Sequence, residues 1–170
     1  MKVAIPETKR SRMKKAIYAG TFDPITYGHI DVILRATKIF DKVVIGVSAG
    51  PKNTFFTQKE RINLAQDIFR NNNKIEVMGF SSLLVNFATE IGAATIIRGI
   101  RAVSDFDYEL QLTLMNRKLA SEIETIFLMP SEQYIFISSS LAKEIASLGG
   151  DISHLVPDTV AKALRKKLKK

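Results

Sequence analysis

Short apolar runs alternate with longer amphipathic stretches along the whole chain. The runs rich in β-branched residues have the length of strands, and they predict strands at residues 15–19, 42–48, 74–79, 94–98 and 124–129. The stretches between and after them repeat apolar positions every three to four residues, and they predict helices at residues 27–40, 58–71, 82–91, 105–121, 139–148 and 158–168. The chain therefore reads as strands and helices in alternation.

Two helix starts carry local signals. Thr57 and Glu60 have the spacing of a capping box, in which each side chain bonds the backbone N–H of the other residue. Pro157 stands where a helix can begin, because the N–H that proline lacks would have no partner in the first turn. Both signals support the helix starts that the apolar periodicity indicates.

The alternation predicts the fold class. A strand followed by a helix and another strand requires a crossover connection, and crossovers make neighbouring strands parallel. The strands are apolar on both faces, as expected when helices cover both sides of the sheet. We therefore predict one α/β domain over residues 13–170, with a doubly wound, Rossmann-like, five-stranded parallel sheet. In such folds ligands bind beyond the C-terminal ends of the strands, where the strand order reverses.

Composition narrows the classes of protein that need to be considered. The 170 residues include no cysteine, which excludes disulfides and thiolate metal sites. The longest apolar runs are far shorter than a membrane span, and residues 1–12 contain no apolar core of the kind found in signal peptides. We expect a cytoplasmic protein that does not bind membranes, with residues 1–12 as a disordered extension.

The net charge of +8 raises the possibility of nucleic-acid binding. Residues 1–12 contribute +3 and residues 165–170 contribute +5, so that the body between them is neutral. A nucleic-acid binder usually carries its basic residues on a folded face. This distribution favours solvated basic tails and no nucleic-acid partner.

The strongest candidate for chemistry is the segment 16–31, AIYAGTFDPITYGHID, where the first strand passes into the first helix. Gly20 allows close backbone approach, and His29 stands near free N–H groups at the positive end of a helix dipole. An isolated histidine here would favour a structural cap. With the surrounding motif, we expect His29 to donate a hydrogen bond to a phosphate and to carry charge near neutral pH.

This segment resembles the T/H-x-G-H signature of the nucleotidyltransferase superfamily, whose members transfer a nucleotide and release pyrophosphate. The superfamily's second signature is similar to residues 137–140, ISSS, which stand directly before a predicted helix. Alone, such serines would be an ordinary N-cap. In the resemblance, their hydroxyl and N–H groups hold the β- and γ-phosphates.

A third segment, residues 96–109, IIRGIRAVSDFDYE, resembles the signature of bacterial phosphopantetheine adenylyltransferase. Its two arginines can reach different phosphates with planar, permanently charged groups. An ordinary salt-bridged loop is the alternative explanation. The resemblance also covers Asn116-Arg117 and residues 127–130, FLMP, and extends from about residue 14 to residue 168.

The resemblance implies a transfer of AMP from ATP to 4′-phosphopantetheine, which gives dephospho-coenzyme A and pyrophosphate. It implies a homohexamer, the use of Mg²⁺ and feedback by coenzyme A. The implied catalytic residues are His29, Lys52 and Arg101. The implied ATP-binding residues are Thr21, Phe22, His29, Gly99, Ile100, Arg101, Glu109, Tyr134, Ile135, Phe136, Ile137, Ser138, Ser139 and Ser140. The residues implied for 4′-phosphopantetheine are Thr21, Lys52, Leu84, Arg98 and Asn116.

The sequence contains neither a P-loop nor a Ser-His-Asp set, so we expect direct attack by the acceptor phosphate without a covalent enzyme intermediate. The carboxylates form no evident metal cage, and we expect Mg²⁺ to arrive with ATP. Three alternatives stay open. The chain could act on another acceptor such as nicotinic acid mononucleotide, bind nucleotides without catalysis, or bind nucleic acid through its basic tails.

Overall fold

The computed structural model describes residues 13–169 and contains one parallel sheet. The strands are β1 (Lys15–Gly20), β2 (Lys42–Ser48), β3 (Ile75–Phe80), β4 (Thr95–Gly99) and β5 (Glu124–Leu128). The helices are α1 (Tyr27–Ala36), α2 (Gln58–Phe69), α3 (Leu84–Glu90), α4 (Val103–Leu119), α5 (Ser139–Ser147) and α6 (Asp158–Leu168). A short 3₁₀ helix, Glu132–Tyr134, precedes α5.

The strand order is β3-β2-β1-β4-β5, with every neighbouring pair parallel. The chain builds outward from β1 to β3, then crosses back to β4 on the other side of β1. The order therefore reverses between β1 and β4, where Ile17 pairs with Ile96. The predicted doubly wound α/β fold is confirmed.

Alternate strand residues supply two separate apolar cores. On one face, Tyr18 and Ile45 belong to a cluster with buried residues of α1, α2, α5 and α6. On the other face, Ile17 and Val44 belong to a cluster with buried residues of α3. Helices therefore cover both faces of the sheet, as two-sided apolar strands require.

Several predicted boundaries are wrong by a few residues. The clearest case is α1, which was predicted to reach residue 40 and ends at Ala36. The Thr37 hydroxyl donates to the Leu34 carbonyl at 2.7 Å, and the N–H of Lys38 bonds a carbonyl three residues back. These short-range bonds tighten the chain into a turn and end the α-helix.

The helix-start signals at residues 57 and 157 were correct. The N–H of Thr57 donates to the Glu60 carboxylate at 2.7 Å, and the Thr57 hydroxyl accepts from the Glu60 N–H at 3.3 Å, which completes the predicted capping box. Pro157 directly precedes α6.

The basic run from residue 165 continues α6, and Arg165, Lys166 and Lys169 are exposed, as predicted for solvated charges. Lys167 pairs with Glu60 at 2.5 Å and lies 4.9 Å from the centroid of the Phe56 ring. Cations also suit the negative end of the helix dipole. The other predicted tail, residues 1–12, lies outside the described residues.

The longest helix, α4, has 17 residues and buries none of them. Within residues 13–169, no helix combines the length and apolar character needed to cross a membrane. The exposed apolar side chains of α4 include Val103, Tyr108, Leu114 and Met115. In the single chain, α4 therefore presents an exposed surface that contains several apolar side chains.

Candidate active site

The candidate site is a cavity of about 400 Å³ at the C-terminal ends of β1 and β4, where the strand order reverses. The N-termini of α1 and α5 both border it, through Gly28 and Ser139. The positive ends of two helix dipoles therefore face the same space. Such a space favours the binding of an anion with more than one charged group.

The turn from β1 to α1 fixes the orientation of His29. The N–H of Thr26 donates to the Nδ1 atom of His29 at 3.0 Å, and the Thr26 hydroxyl lies at the same distance from Nδ1. Because a backbone N–H can only donate, Nδ1 must accept, and the ring proton of the neutral imidazole belongs on Nε2. Phe22, whose φ of +50° is in the left-handed region, packs edge-on against the imidazole with ring centroids 5.1 Å apart.

The expectation that His29 carries charge near neutral pH is wrong for the protein without ligand. Burial, together with the positive charge of Arg101, lowers the pKa of His29 from 6.5 to about 4. At pH 7 the ring is therefore neutral and presents one N–H donor. The neutral imidazole of His29 can still donate a hydrogen bond from Nε2 to a phosphate oxygen.

The arginine-rich segment brings two cations to the cavity, but they differ in their partners. Arg98 pairs with Glu109 through Nε at 2.5 Å and Nη2 at 2.6 Å, and its Nη1 donates to the Ala19 carbonyl at 3.0 Å. Its side chain is 20% exposed. Arg101 makes a looser pair with Asp105 at 3.2 Å, and its side chain is 41% exposed. Arg98 is therefore part of a fixed pair, whereas Arg101 is freer to meet a ligand.

The serine segment is bound directly to the first motif. Ser138 caps α5 by accepting from the Leu141 N–H at 3.1 Å, and the Ser139 hydroxyl donates to the Pro24 carbonyl at 2.7 Å. Arg101 also donates to the Ile137 carbonyl at 3.4 Å. The three sequence motifs therefore meet in one cavity.

The structure brings most of the predicted site residues to this cavity. Those that line it are Phe22, His29, Arg98, Gly99, Arg101, Glu109, Ile137, Ser138, Ser139 and Ser140. The predicted residues that do not line it are Thr21, Lys52, Leu84, Ile100, Asn116, Tyr134, Ile135 and Phe136. Most of these are close in sequence to residues that line the cavity. Three are not: Lys52 is exposed in a separate turn, Leu84 at the start of α3 packs against the apolar core of Ile17 and Val44, and Asn116 lies on α4.

Two contributors were not among the predicted site residues. Tyr18 lines the cavity from β1, and burial raises its pKa to about 12, so that its hydroxyl stays protonated. Thr26 orients the imidazole of His29. Its signal was visible, because Thr26 and His29 have the same three-residue spacing as a capping box.

Among the side chains of residues 13–169, no cluster of three or more histidine, aspartate or glutamate groups is arranged to hold a metal ion. The carboxylates nearest the arginines are already paired, Glu109 with Arg98 and Asp105 with Arg101. The donor set of the cavity is thus cationic and neutral, which suits a polyphosphate.

Comparison with known proteins relates this chain to nucleotidyltransferases. The family described as cytidylyltransferase-like matches residues 17–145. The chain is 54% identical over 156 residues to the phosphopantetheine adenylyltransferase of Alkaliphilus metalliredigens (strain QYMF), covering 91% of this chain and 99% of that protein. Its fold is similar to the crystal structure of a Vibrio parahaemolyticus protein described as a nicotinate-nucleotide adenylyltransferase. That match has a TM-score of 0.71 and 18% identity, and it covers 92% of this chain and 95% of the other.

Proposed function

The chain belongs to the phosphopantetheine adenylyltransferase family, and from this membership we propose that it transfers AMP from ATP to 4′-phosphopantetheine. The products are dephospho-coenzyme A and pyrophosphate, which makes the reaction a step in coenzyme A biosynthesis. The supporting observation is a neutral imidazole with its Nε2–H available, held in a cavity that two helix N-termini also border.

The proposed reaction is a direct displacement. An oxygen of the acceptor phosphate attacks the α-phosphorus of ATP, a new P–O bond forms, and the bond from the α-phosphorus to the bridging oxygen breaks. Its electron pair leaves with pyrophosphate. No group on the protein needs to become covalently attached, because the acceptor phosphate is already a nucleophile.

His29 and Arg101 are the proposed catalytic donors of the cavity. The Nε2–H of His29 bonds a non-bridging oxygen of the α-phosphate, and the guanidinium of Arg101 balances the negative charge that grows in the transition state. The same charge distribution explains why a neutral histidine suffices, since Arg101 already supplies the cation. The third proposed catalytic residue, Lys52, would have to reach the reacting phosphates from its exposed turn.

The serine segment is proposed to bind the β- and γ-phosphates. Its support is the N-terminus of α5, where Ser138 caps the helix and Ser139 is bound to the first turn at 2.7 Å. Beside it, Glu109 and the residues that follow β4 would hold the nucleotide.

Arg98, Lys52, Leu84 and Asn116 are proposed to bind the acceptor. Arg98 is fixed at the cavity by its bidentate pair, and a guanidinium held in this way is pre-organised for a phosphate. Thr21, at the end of β1, is proposed to contact both substrates. The remaining three residues lie outside the cavity and would contact the part of the acceptor that extends from it.

Mg²⁺ is proposed to arrive with ATP as part of the substrate, where it would balance the charge of the triphosphate. The paired state of Glu109 and Asp105 supports this, because it leaves the cavity without a free carboxylate set. Homohexamer formation, a cytoplasmic location and feedback by coenzyme A are further proposals. The apolar surface of α4, with Val103 87% exposed, supports self-association.

An end-product assay tests the proposed reaction. Purified protein is incubated with Mg²⁺-ATP and either 4′-phosphopantetheine, nicotinic acid mononucleotide or pantetheine without its phosphate. We expect pyrophosphate and dephospho-coenzyme A with the first acceptor alone, and none with pantetheine, because the attacking oxygen belongs to the phosphate. Pyrophosphate release with nicotinic acid mononucleotide and none with 4′-phosphopantetheine would overturn the assignment.

A further inference from the structure

A buried cation lies behind the candidate site. Arg61 of α2 is only 1% exposed and lies on the apolar face of the helix, four residues before Ala65 and eight before Phe69. Burial lowers the pKa of Arg61, and the negative charge of Asp23 opposes this change. An arginine remains protonated under such conditions. Burying its charge is costly, so its contacts need an explanation.

All the hydrogen bonds of Arg61 go to main-chain carbonyls at the ends of two strands and the start of one helix. Nε donates to Phe56 O at 3.1 Å, Nη2 to Ala49 O at 2.8 Å, and Nη1 to Ser48 O at 2.9 Å and to Thr21 O. Thr21 follows β1, Ser48 ends β2, and Phe56 precedes α2. One planar side chain therefore fixes the relative positions of three chain segments.

Asp23 holds the same region from the other side. Its carboxylate accepts from the N–H groups of Phe55 and Phe56, both at 2.8 Å, and from Lys143 Nζ at 3.0 Å. The segment before α2 is thus bound through its N–H groups by Asp23 and through a carbonyl by Arg61. The β1–α1 turn and the connection after β2 are therefore linked directly by hydrogen bonds.

The contacts of Arg61 are confined to one side of the site. They reach Thr21, which is proposed to contact both substrates, and the connection between β2 and α2, which contains Lys52 of the proposed acceptor site. Among the described residues, none of its hydrogen bonds reaches Arg101 or the serine segment, which are proposed to bind ATP. Arg61 does not line the cavity, so it can act only through the residues that it holds.

We propose that Arg61 is a positioning residue that sets the acceptor side of the site for attack on ATP. This inference rests on the proposed function, since it assumes a phosphate acceptor beside the end of β1. A small displacement of a bound reactant is enough to lower a displacement rate by about 100-fold. The guanidinium of Arg61 prevents such a displacement by holding the carbonyls at fixed distances.

The test compares Arg61→Lys with Arg70→Lys. Lysine at position 61 retains the charge, but its single ammonium group cannot span the four carbonyls that the guanidinium reaches. Arg70 is the matched control, because it is an exposed arginine that follows the same helix. Arg61→Ala is a harsher variant that can fail to fold. Each protein is assayed for thermal unfolding, for ATP binding by calorimetry, and for kcat and KM with the acceptor that the wild type uses.

We expect Arg61→Lys to remain folded, to lose much less affinity for ATP than for the acceptor because Arg101 and the serine segment are untouched, and to show a raised KM for the acceptor with kcat lowered by about 10- to 100-fold. The Arg70→Lys protein should match the wild type in every measurement. Equal losses for ATP and acceptor, or a lowered melting temperature with wild-type kcat and KM, would overturn the proposal. So would an Arg61→Lys protein that does not fold. If the wild type uses nicotinic acid mononucleotide instead, only the proposed function is contradicted. The role of Arg61 is then tested by comparing Arg61→Lys with Arg70→Lys on that acceptor.

Discussion

Two substitutions can separate the proposed catalytic role of His29 from its structural role at the start of α1. Nδ1 accepts from the N–H of Thr26 at 3.0 Å, while Nε2 is left to donate into the cavity. In His29→Asn, the side-chain oxygen can occupy the place of Nδ1, but nothing reaches the place of Nε2. In His29→Gln, the amide nitrogen can reach the place of Nε2 and donate. Asparagine therefore retains the structural bond and glutamine retains the proposed catalytic one.

We expect kcat of His29→Asn to fall by about 10²–10³-fold, the usual effect of removing one preorganised donor to a growing negative charge. The affinity for ATP should change much less, because the bond strengthens mainly in the transition state. His29→Gln should retain part of the lost rate. Removing both bonds in His29→Ala should lower the unfolding free energy by about 1 kcal/mol in addition to the loss of rate.

The lowered pKa of His29 adds a second, independent measurement. The unfolded chain binds a proton as the pH falls below 6.5, whereas the folded chain resists protonation until about pH 4. Stability is therefore fully present above pH 6.5 and is lost as the pH falls from 6.5 to 4. A pKa lowered from 6.5 to about 4 is worth up to about 3 kcal/mol. The Asn variant has no imidazole to titrate. Its unfolding free energy relative to that of the wild type should therefore rise as the pH falls from 6.5 to 4.

Urea unfolding of wild type and His29→Asn at several pH values between 4 and 7, beside steady-state kinetics, makes both measurements on the same samples. An Asn variant with wild-type kcat would show that His29 is only a structural cap. A stability difference that does not change with pH would show that the imidazole is not held neutral by burial. Either result would refute the reasoning from the geometry.

Three further predictions concern the other motifs. Arg98→Ala removes the guanidinium that is proposed to bind the acceptor phosphate, so acceptor affinity should fall about tenfold to a hundredfold, an effect of about 1.5–3 kcal/mol. Arg101→Ala should mainly weaken ATP binding. Calorimetric titration with each ligand decides, and equal losses in both variants would contradict the division. Ser139→Ala removes a 2.7 Å bond to the first turn, and urea unfolding should show a loss of about 1 kcal/mol. Lys167→Ala breaks a surface pair with Glu60 and should cost at most about 1 kcal/mol, a loss that high salt should abolish.

The sheet was predictable because its signals are local. The run 42–48 is mostly apolar and rich in valine and isoleucine, and β2 has those bounds. The bounds of α6 were also correct. The end of α1 was not, because a threonine side chain competes for a main-chain carbonyl there. The 3₁₀ helix Glu132–Tyr134 was not predicted, since three residues are too few to show a period.

The meeting of the motifs was predictable from the alternation of strands and helices, because parallel strands end at one edge of the sheet, but the state of each group was not. The charge of His29 depends on burial and on Arg101, which are properties of the folded chain. The bond between Arg98 and Glu109 depends on how α4 returns over the end of β4. Arg61 gave a visible signal, a cation on the apolar face of a helix, yet the sequence does not say which carbonyls it meets.

The bond from Ser139 to Pro24 joins residues that are 115 positions apart, and the N–H of Tyr27 at the start of α1 donates to the carbonyl of Leu155 at 3.0 Å. During synthesis on the ribosome, the first motif is therefore made long before the groups that complete it. A nascent or truncated chain that ends before α5 lacks Ser139, Ser140 and the helix N-terminus that borders the cavity. If the serine segment binds the phosphates as proposed, nucleotide binding needs an almost finished polypeptide, so it would stabilise the finished protein and not guide the early steps of folding.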